Sequence, residues 1–164
     1  MPSRSSMRCA AEALAGGATE VFELRASDGP LAAGARGLEA FLDRFGCGER
    51  VRFVSALIVE EALGNLFLRA PNPPAHCRLT CAIEPGTGSV LITLEDPGDP
   101  FDPCQFPAPE PVADIAMAAD GGRGILLMRS MSDEMFYQRV NGLNRLTCRV
   151  CESPQADVRR SRRA

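Results

Sequence analysis

Lysine does not occur anywhere in the 164 residues; all 18 basic side chains are arginine. That absence removes two nucleotide-handling architectures. A P-loop needs the lysine of its Gly-Lys-Ser/Thr, and an ordinary protein-kinase fold needs a strand lysine on the phosphates. No run of about 18 apolar residues occurs, so no transmembrane helix and no membrane partner are expected. A basic excess is also missing. The 18 basic and 21 acidic residues give a formal charge of −3, which leaves no footprint for direct nucleic-acid binding. The opening stretch MPSRSSMRCAAEALAGGA carries arginines but no sufficient apolar segment, because Glu12 interrupts it; no secretion signal is expected. Seven cysteines in such a chain predict reduced thiols and a cytoplasmic location. The single histidine, His76, reads as an ordinary strand-start or loop residue.

With 45% hydrophobic content, a chain of this length can bury one sizeable core. Residues 1–18 are small, polar and rich in Gly and Ala, and are expected to form a flexible arm. Glu20–Arg25 (EVFELR) predicts an edge strand. Asp28-Gly29-Pro30 is a helix-start signal, and Leu31, Leu38, Phe41, Leu42 and Phe45 follow at helical spacing. Gly46-Cys47-Gly48 ends that helix. A second is predicted over about 49–70, stopped by Pro71, Pro73 and Pro74. Two strands, about 76–84 and 89–95, are joined by Pro85-Gly86-Thr87-Gly88 as a hairpin. Residues 96–121 make a long loop rich in proline and glycine, a length that points to function or disorder. Gly122–Ser130 reads as a glycine turn entering a helix. Strands over about 134–140 and 144–151 flank Asn141-Gly142, a hairpin signal. The tail over 152–164 is basic and expected to be flexible. Helices clustered against a mixed, largely antiparallel sheet make an α+β two-layer sandwich with about three helices.

Three stretches carry candidate chemistry. In ALIVEEALGNLF (56–67), Glu61 and Asn65 fall within about 20° of Val54 on a helical projection, in the middle of an apolar stripe that also holds Leu57, Ile58 and Leu68. A buried carboxylate needs a partner. The pair reads either as a general base with a magnesium ligand or as caps on a neighbouring loop. In LITLEDPGDPFDP (91–103), Asp96 stands at a strand end with Gly98 after it. A fixed carboxylate there accepts a hydrogen bond from an exocyclic amine, and the glycine admits a flat ring; the alternative is a plain Asp-Pro-Gly turn. In GGRGILLM (121–128), glycines at a helix start offer N–H groups and the positive dipole end to an anion, or simply form a packing turn. Phosphates bound there would rest on N–H groups, magnesium and Arg123.

In this order and spacing the three stretches resemble the GHKL ATPase superfamily, and within it the anti-sigma-factor serine/threonine kinases of bacterial partner switching. The likeness runs over about residues 19–151. It is carried by VEEALGN, by DPGDPFDP and by GGRGILLMRSMSDEMFY leading to NGLNRLTC. The resemblance implies the Bergerat ATP-binding sandwich, with ATP and Mg2+ as cofactors. It implies Glu61 as general base, Asn65 as magnesium ligand, Asp96 on the adenine amino group and Gly98 making room for the ring. Gly122 and Gly124 would shape the end of the phosphate-covering lid, and Thr147 would back the adenine. The implied partner is an anti-anti-sigma STAS-domain protein that is phosphorylated on serine or threonine. A sigma factor and a second copy of the chain are further implied partners.

Two departures bear on affinity. Many members of the family it resembles carry a basic residue three positions after the asparagine and an aromatic or histidine at four; Leu68 and Arg69 stand there instead. Arg69 would then either serve the phosphates or face solvent. Pro97 replaces a usually polar residue. These support an alternative function: a module that binds nucleotide weakly or not at all and acts by sequestering a regulator. A self-contained ATP hydrolase is a third reading, without a work-transducing domain to support it. Cys148 and Cys151, three apart on a strand, point to opposite faces, and Cys77 and Cys81 stand about 13 Å apart, so these thiols read as small core residues.

Overall fold

A computed structural model describes residues 17–107 and 122–153. Five strands form one sheet: β1 Thr19–Arg25, β2 His76–Ile83, β3 Val90–Asp96, β4 Glu134–Val140 and β5 Leu143–Val150. Their order is β1-β2-β3-β5-β4, and all four pairings are antiparallel, in line with the largely antiparallel sheet expected. The hairpin signals explain the local pairings. Gly86 and Gly88 turn β2 into β3 with φ of 79° and 67°, and Asn141 and Gly142, at 52° and 81°, turn β4 into β5. In the two-residue β4–β5 turn, positive φ at both central residues matches the right-handed twist of the flanking strands.

Three helices cover one face: α1 Pro30–Arg44, α2 Glu49–Gly64 and α3 Arg123–Met131. Pro30 opens α1 at a position where its missing N–H costs nothing. Helix α2 lies between the other two and is buried on more than one side. Val51, Val54 and Ile58, together with Val59 and Leu63, are each at most 1% exposed. They meet Leu38 and Phe41 of α1, Ile125 and Met128 of α3, and Leu79, Val90, Ile92, Cys148 and Val150 of the sheet in one core. A helix apolar nearly all round is thereby explained by its central position. The opposite face of the sheet is covered by none of these helices, and among the described residues Ala82 and Leu91 form a small buried cluster on it.

The second predicted helix is corrected at its end. The α-helix stops at Gly64, and Asn65–Arg69 continue as a π-turn. The wider turn changes the projection beyond residue 64, and Leu68, expected in the apolar stripe, is 70% exposed. Most of the expected arm, the second half of the long loop and most of the basic tail lie outside the described residues. Glu152 is described, and its Oε1 accepts the Gly48 N–H at 2.6 Å, closing the start of α2 against the end of β5. No helix among the described residues is long and apolar enough to cross a membrane.

Candidate functional site

The C-terminal end of α2, the end of β3 and the start of β5 converge at one end of the sandwich. A cavity of about 450 Å3 opens there, within the range of small-molecule sites. Asn65, Arg69, Asp96, Gly98 and Asn144 bring its polar groups; Leu94, Ile125, Met128 and Leu146 bring apolar ones.

Asp96 is the last residue of β3, points to the helix side with Ile92 and Leu94, and is 7% exposed. Its Oδ1 accepts the Gly98 N–H at 2.8 Å and the Asn144 Nδ2–H at 3.0 Å. No donor among the described residues is bonded to Oδ2. A nearly buried carboxylate with one oxygen anchored and one unspent favours a donor supplied from outside the chain. Asn144 is held in turn. It also donates to the Asp99 carbonyl at 2.9 Å, and its Oδ1 accepts from Tyr137 Oη and Arg139 Nη1, each at 2.7 Å. Arg139 Nη1 further donates to the Gly98 carbonyl at 3.1 Å. The β4–β5 hairpin thus fixes the loop after β3. Gly98 has to be glycine for this arrangement, since a Cβ there would stand 2.7 Å from Asp96 Oδ1.

At the α2 end, Arg69 Nη1 donates to Asn65 Oδ1 at 2.9 Å and to Glu61 Oε2 at 3.3 Å. The Glu61 side chain is 23% exposed and that of Arg69 41%. Both polar groups of the α2 stripe therefore sit at the edge of the core and share one cation. The Glu61 carboxylate also reaches the first turn of α3, where a Cβ on Gly124 would collide with Oε2. A helix N-terminus is a favourable place for a carboxylate. Gly122 is the N-cap of α3, and the Phe106 ring packs on it so that a Cβ would lie 2.8 Å from Cε1. Arg129 Nη1 donates to the Phe106 carbonyl at 2.6 Å. The near end of the long loop is thereby tied to α3. Arg123 opens α3 on its exposed side.

A family described as "Histidine kinase-like ATPase domain" matches residues 24–150. The chain belongs to that family. It is also 33% identical over 109 residues to the serine/threonine-protein kinase BtrW of Bordetella bronchiseptica, covering 65% of this chain and 75% of that relative.

Membership of the histidine kinase-like ATPase family makes ATP the ligand class to test against the cavity. Asn65, Asp96 and Gly98 line it, with Glu61 beside it and Gly122 and Gly124 at the facing helix start. Thr147 does not join them. Leu146 lines the cavity, so the next residue along the strand faces the other side of the sheet, where Thr147 Oγ1 bonds Thr93 Oγ1 at 3.1 Å. Asn144, directly opposite Asp96 in the β3–β5 register, stands on the cavity side of the strand instead. Its signal was legible: Leu146, Cys148 and Val150 alternate inward, and Asn144 is the polar member of the same series, whereas Thr147 alternates with Arg145 and Arg149.

The cysteines take the part of core residues. Among the described residues all six are free, and no group of three or more His, Cys, Asp or Glu could hold a metal. Burial pushes the Cys77, Cys81 and Cys148 thiols up to about 12, with the Asp96 charge adding to the effect at Cys77.

Proposed function

We propose that the protein is an ATP-dependent serine/threonine kinase of a partner-switching system, which phosphorylates an anti-anti-sigma STAS-domain protein and sequesters a sigma factor when that partner is disengaged. The observation that carries this reading is Asp96: a nearly buried carboxylate on the cavity wall, with Oδ1 anchored by two donors and Oδ2 left for an adenine amino group. The distal polar pair, Glu61 and Asn65, suits the triphosphate end. The name of the relative BtrW supports a protein kinase.

The donor set at that end fits a cation, because Asn65 Oδ1 and Glu61 Oε2 already converge on the guanidinium of Arg69. Asn65 Oδ1 would hold magnesium together with phosphate oxygens and water. When bound, magnesium supplies charge neutralisation on the triphosphate. Asp96 orients the base, and Gly98 leaves room for its ring. Gly122 and Gly124 direct the start of α3 at the phosphates, with Arg123 beside them. Glu61 takes the hydroxyl proton as the partner's serine oxygen forms its bond to the γ-phosphorus; the bond to the bridging oxygen breaks, and ADP leaves with those electrons. The site works in the cytoplasm, where buried free thiols stay reduced, and in a homodimer, without nucleic acid or membrane.

Intact-mass measurement of a STAS-domain partner incubated with the protein, ATP and magnesium tests the assignment. One added phosphate is expected with wild type and none with Glu61→Ala. An equally active alanine variant removes Glu61 from the mechanism. One observation favours the second reading, a sequestering module with weak nucleotide affinity: Arg69 already satisfies Asn65 and Glu61. Calorimetry with ATP and magnesium separates the two.

A further inference from the structure

The π-turn gives Arg69 a position that an ordinary α-helix would not. Its i→i+5 geometry stacks residue 69 over residue 64. Residue 64 is glycine, and a Cβ there would lie 3.2 Å from Arg69 Nη1. The guanidinium therefore lies across the bare backbone of Gly64, within reach of Asn65 Oδ1 and Glu61 Oε2 together. Glu61 in turn rests against Gly124 at the start of α3, where an anion is favoured. Both charges of a metal–phosphate pair are represented by the chain itself: the guanidinium stands in the cation's place and the carboxylate in the anion's.

We propose that Arg69 is a placeholder cation that gates metal loading. In the free protein it neutralises Glu61 and occupies one Oδ1 lone pair of Asn65. Entry of a metal-loaded nucleotide displaces it, so the metal competes with an internal cation as well as with water. Arg69 is then a positioning residue for metal and base, not a group that touches the reacting atoms. Gly64 is part of the device, because a Cβ there would stand 3.2 Å from Arg69 Nη1 and press the guanidinium to shift. The proposal rests on the ATP-site reading above.

The test is the magnesium concentration that gives half-maximal tight binding of ATP, measured by calorimetry or by a fluorescent ATP analogue in chelator-buffered magnesium. Removing an ion pair and a charged hydrogen bond of this exposure lowers that midpoint about five- to tenfold in Arg69→Ala. Arg69→Lys, which keeps the charge and loses the planar fork, falls between the two. Salt weakens magnesium and nucleotide binding in both proteins but screens the Arg69 ion pair only in wild type, so the gap between the two midpoints narrows as salt rises, a response that a packing role for Arg69 would not produce. If both proteins bind ATP with the same midpoint, or the alanine variant needs more magnesium, the gating role is overturned and the ATP site stands. If neither binds ATP at any magnesium concentration, the ATP site and the gate fall together. Should the alanine variant fold poorly, Arg69→Gln provides the same comparison.

Discussion

Replacing Asp96 with asparagine changes one atom of the site and leaves its framework in place. The retained carbonyl oxygen can still accept the Gly98 N–H and the Asn144 Nδ2–H, so the loop keeps its anchors. The amide nitrogen then takes the place of Oδ2 and turns a donor toward the adenine amino group. Loss of a hydrogen bond to a charged acceptor costs about 1.5–3 kcal/mol, or roughly 10- to 150-fold in Kd. Thermal stability should change little, because both internal bonds survive. Calorimetry with ATP, paired with thermal melting by circular dichroism, reads both quantities. A second ligand sharpens the test. GTP carries a carbonyl where adenine carries its amino group, so wild type should discriminate against GTP, and the asparagine variant should lose that preference. An unchanged ATP affinity in a folded Asp96→Asn protein would refute the assignment of Oδ2 to the nucleobase.

Glu61→Gln should retain ATP binding and lose about 10²- to 10⁴-fold in phosphoryl transfer, read as initial rates on a STAS-domain partner. Gly124→Ala should fold, since the displaced atoms belong to a side chain that can swing aside, yet lower transfer by moving the Glu61 carboxylate; melting temperature and rate separate the two effects. Asn144→Ala should lower stability by about 1–2 kcal/mol in denaturant titration and weaken ATP binding, because it releases the bonds to Asp96 and Asp99. Burial raises the folded-state thiols of Cys77, Cys81 and Cys148 from 9.0 to about 12, so the unfolded chain loses these protons first. Stability should be unaffected by these thiols below pH 9 and fall between pH 9 and 12, by up to about 1.4 kcal/mol per pH unit for each thiol, in denaturant midpoints measured across that range.

The sequence made the elements legible where local chemistry decides them. Pro30 after Gly29 opens α1, the glycine pair closes β2 onto β3, and Asn141-Gly142 closes β4 onto β5. The polar interruptions of α2 marked Glu61 and Asn65, and the Asp-Pro-Gly turn marked Asp96. Other features depend on contacts distant in sequence. Arg69 could face phosphates or solvent by spacing alone; the π-turn and the bare surface of Gly64 decide its direction. Asn144 earns its role from the register that sets it opposite Asp96, 48 residues earlier. Thr147, whose role only the resemblance implies, alternates with Arg145 and Arg149 and bonds Thr93 on the face away from the cavity.

The central claim is that ATP sits between Asp96 and the Glu61–Asn65 pair. Titrating ATP with magnesium into isotope-labelled protein and following backbone amides by NMR tests it directly. The account predicts that Asn65, Gly98, Gly122, Gly124 and Asn144 shift together and saturate at one nucleotide per chain, while Thr93 and Thr147 on the opposite face stay unmoved. Shifts confined to the opposite face, or none at saturating ATP, would contradict it.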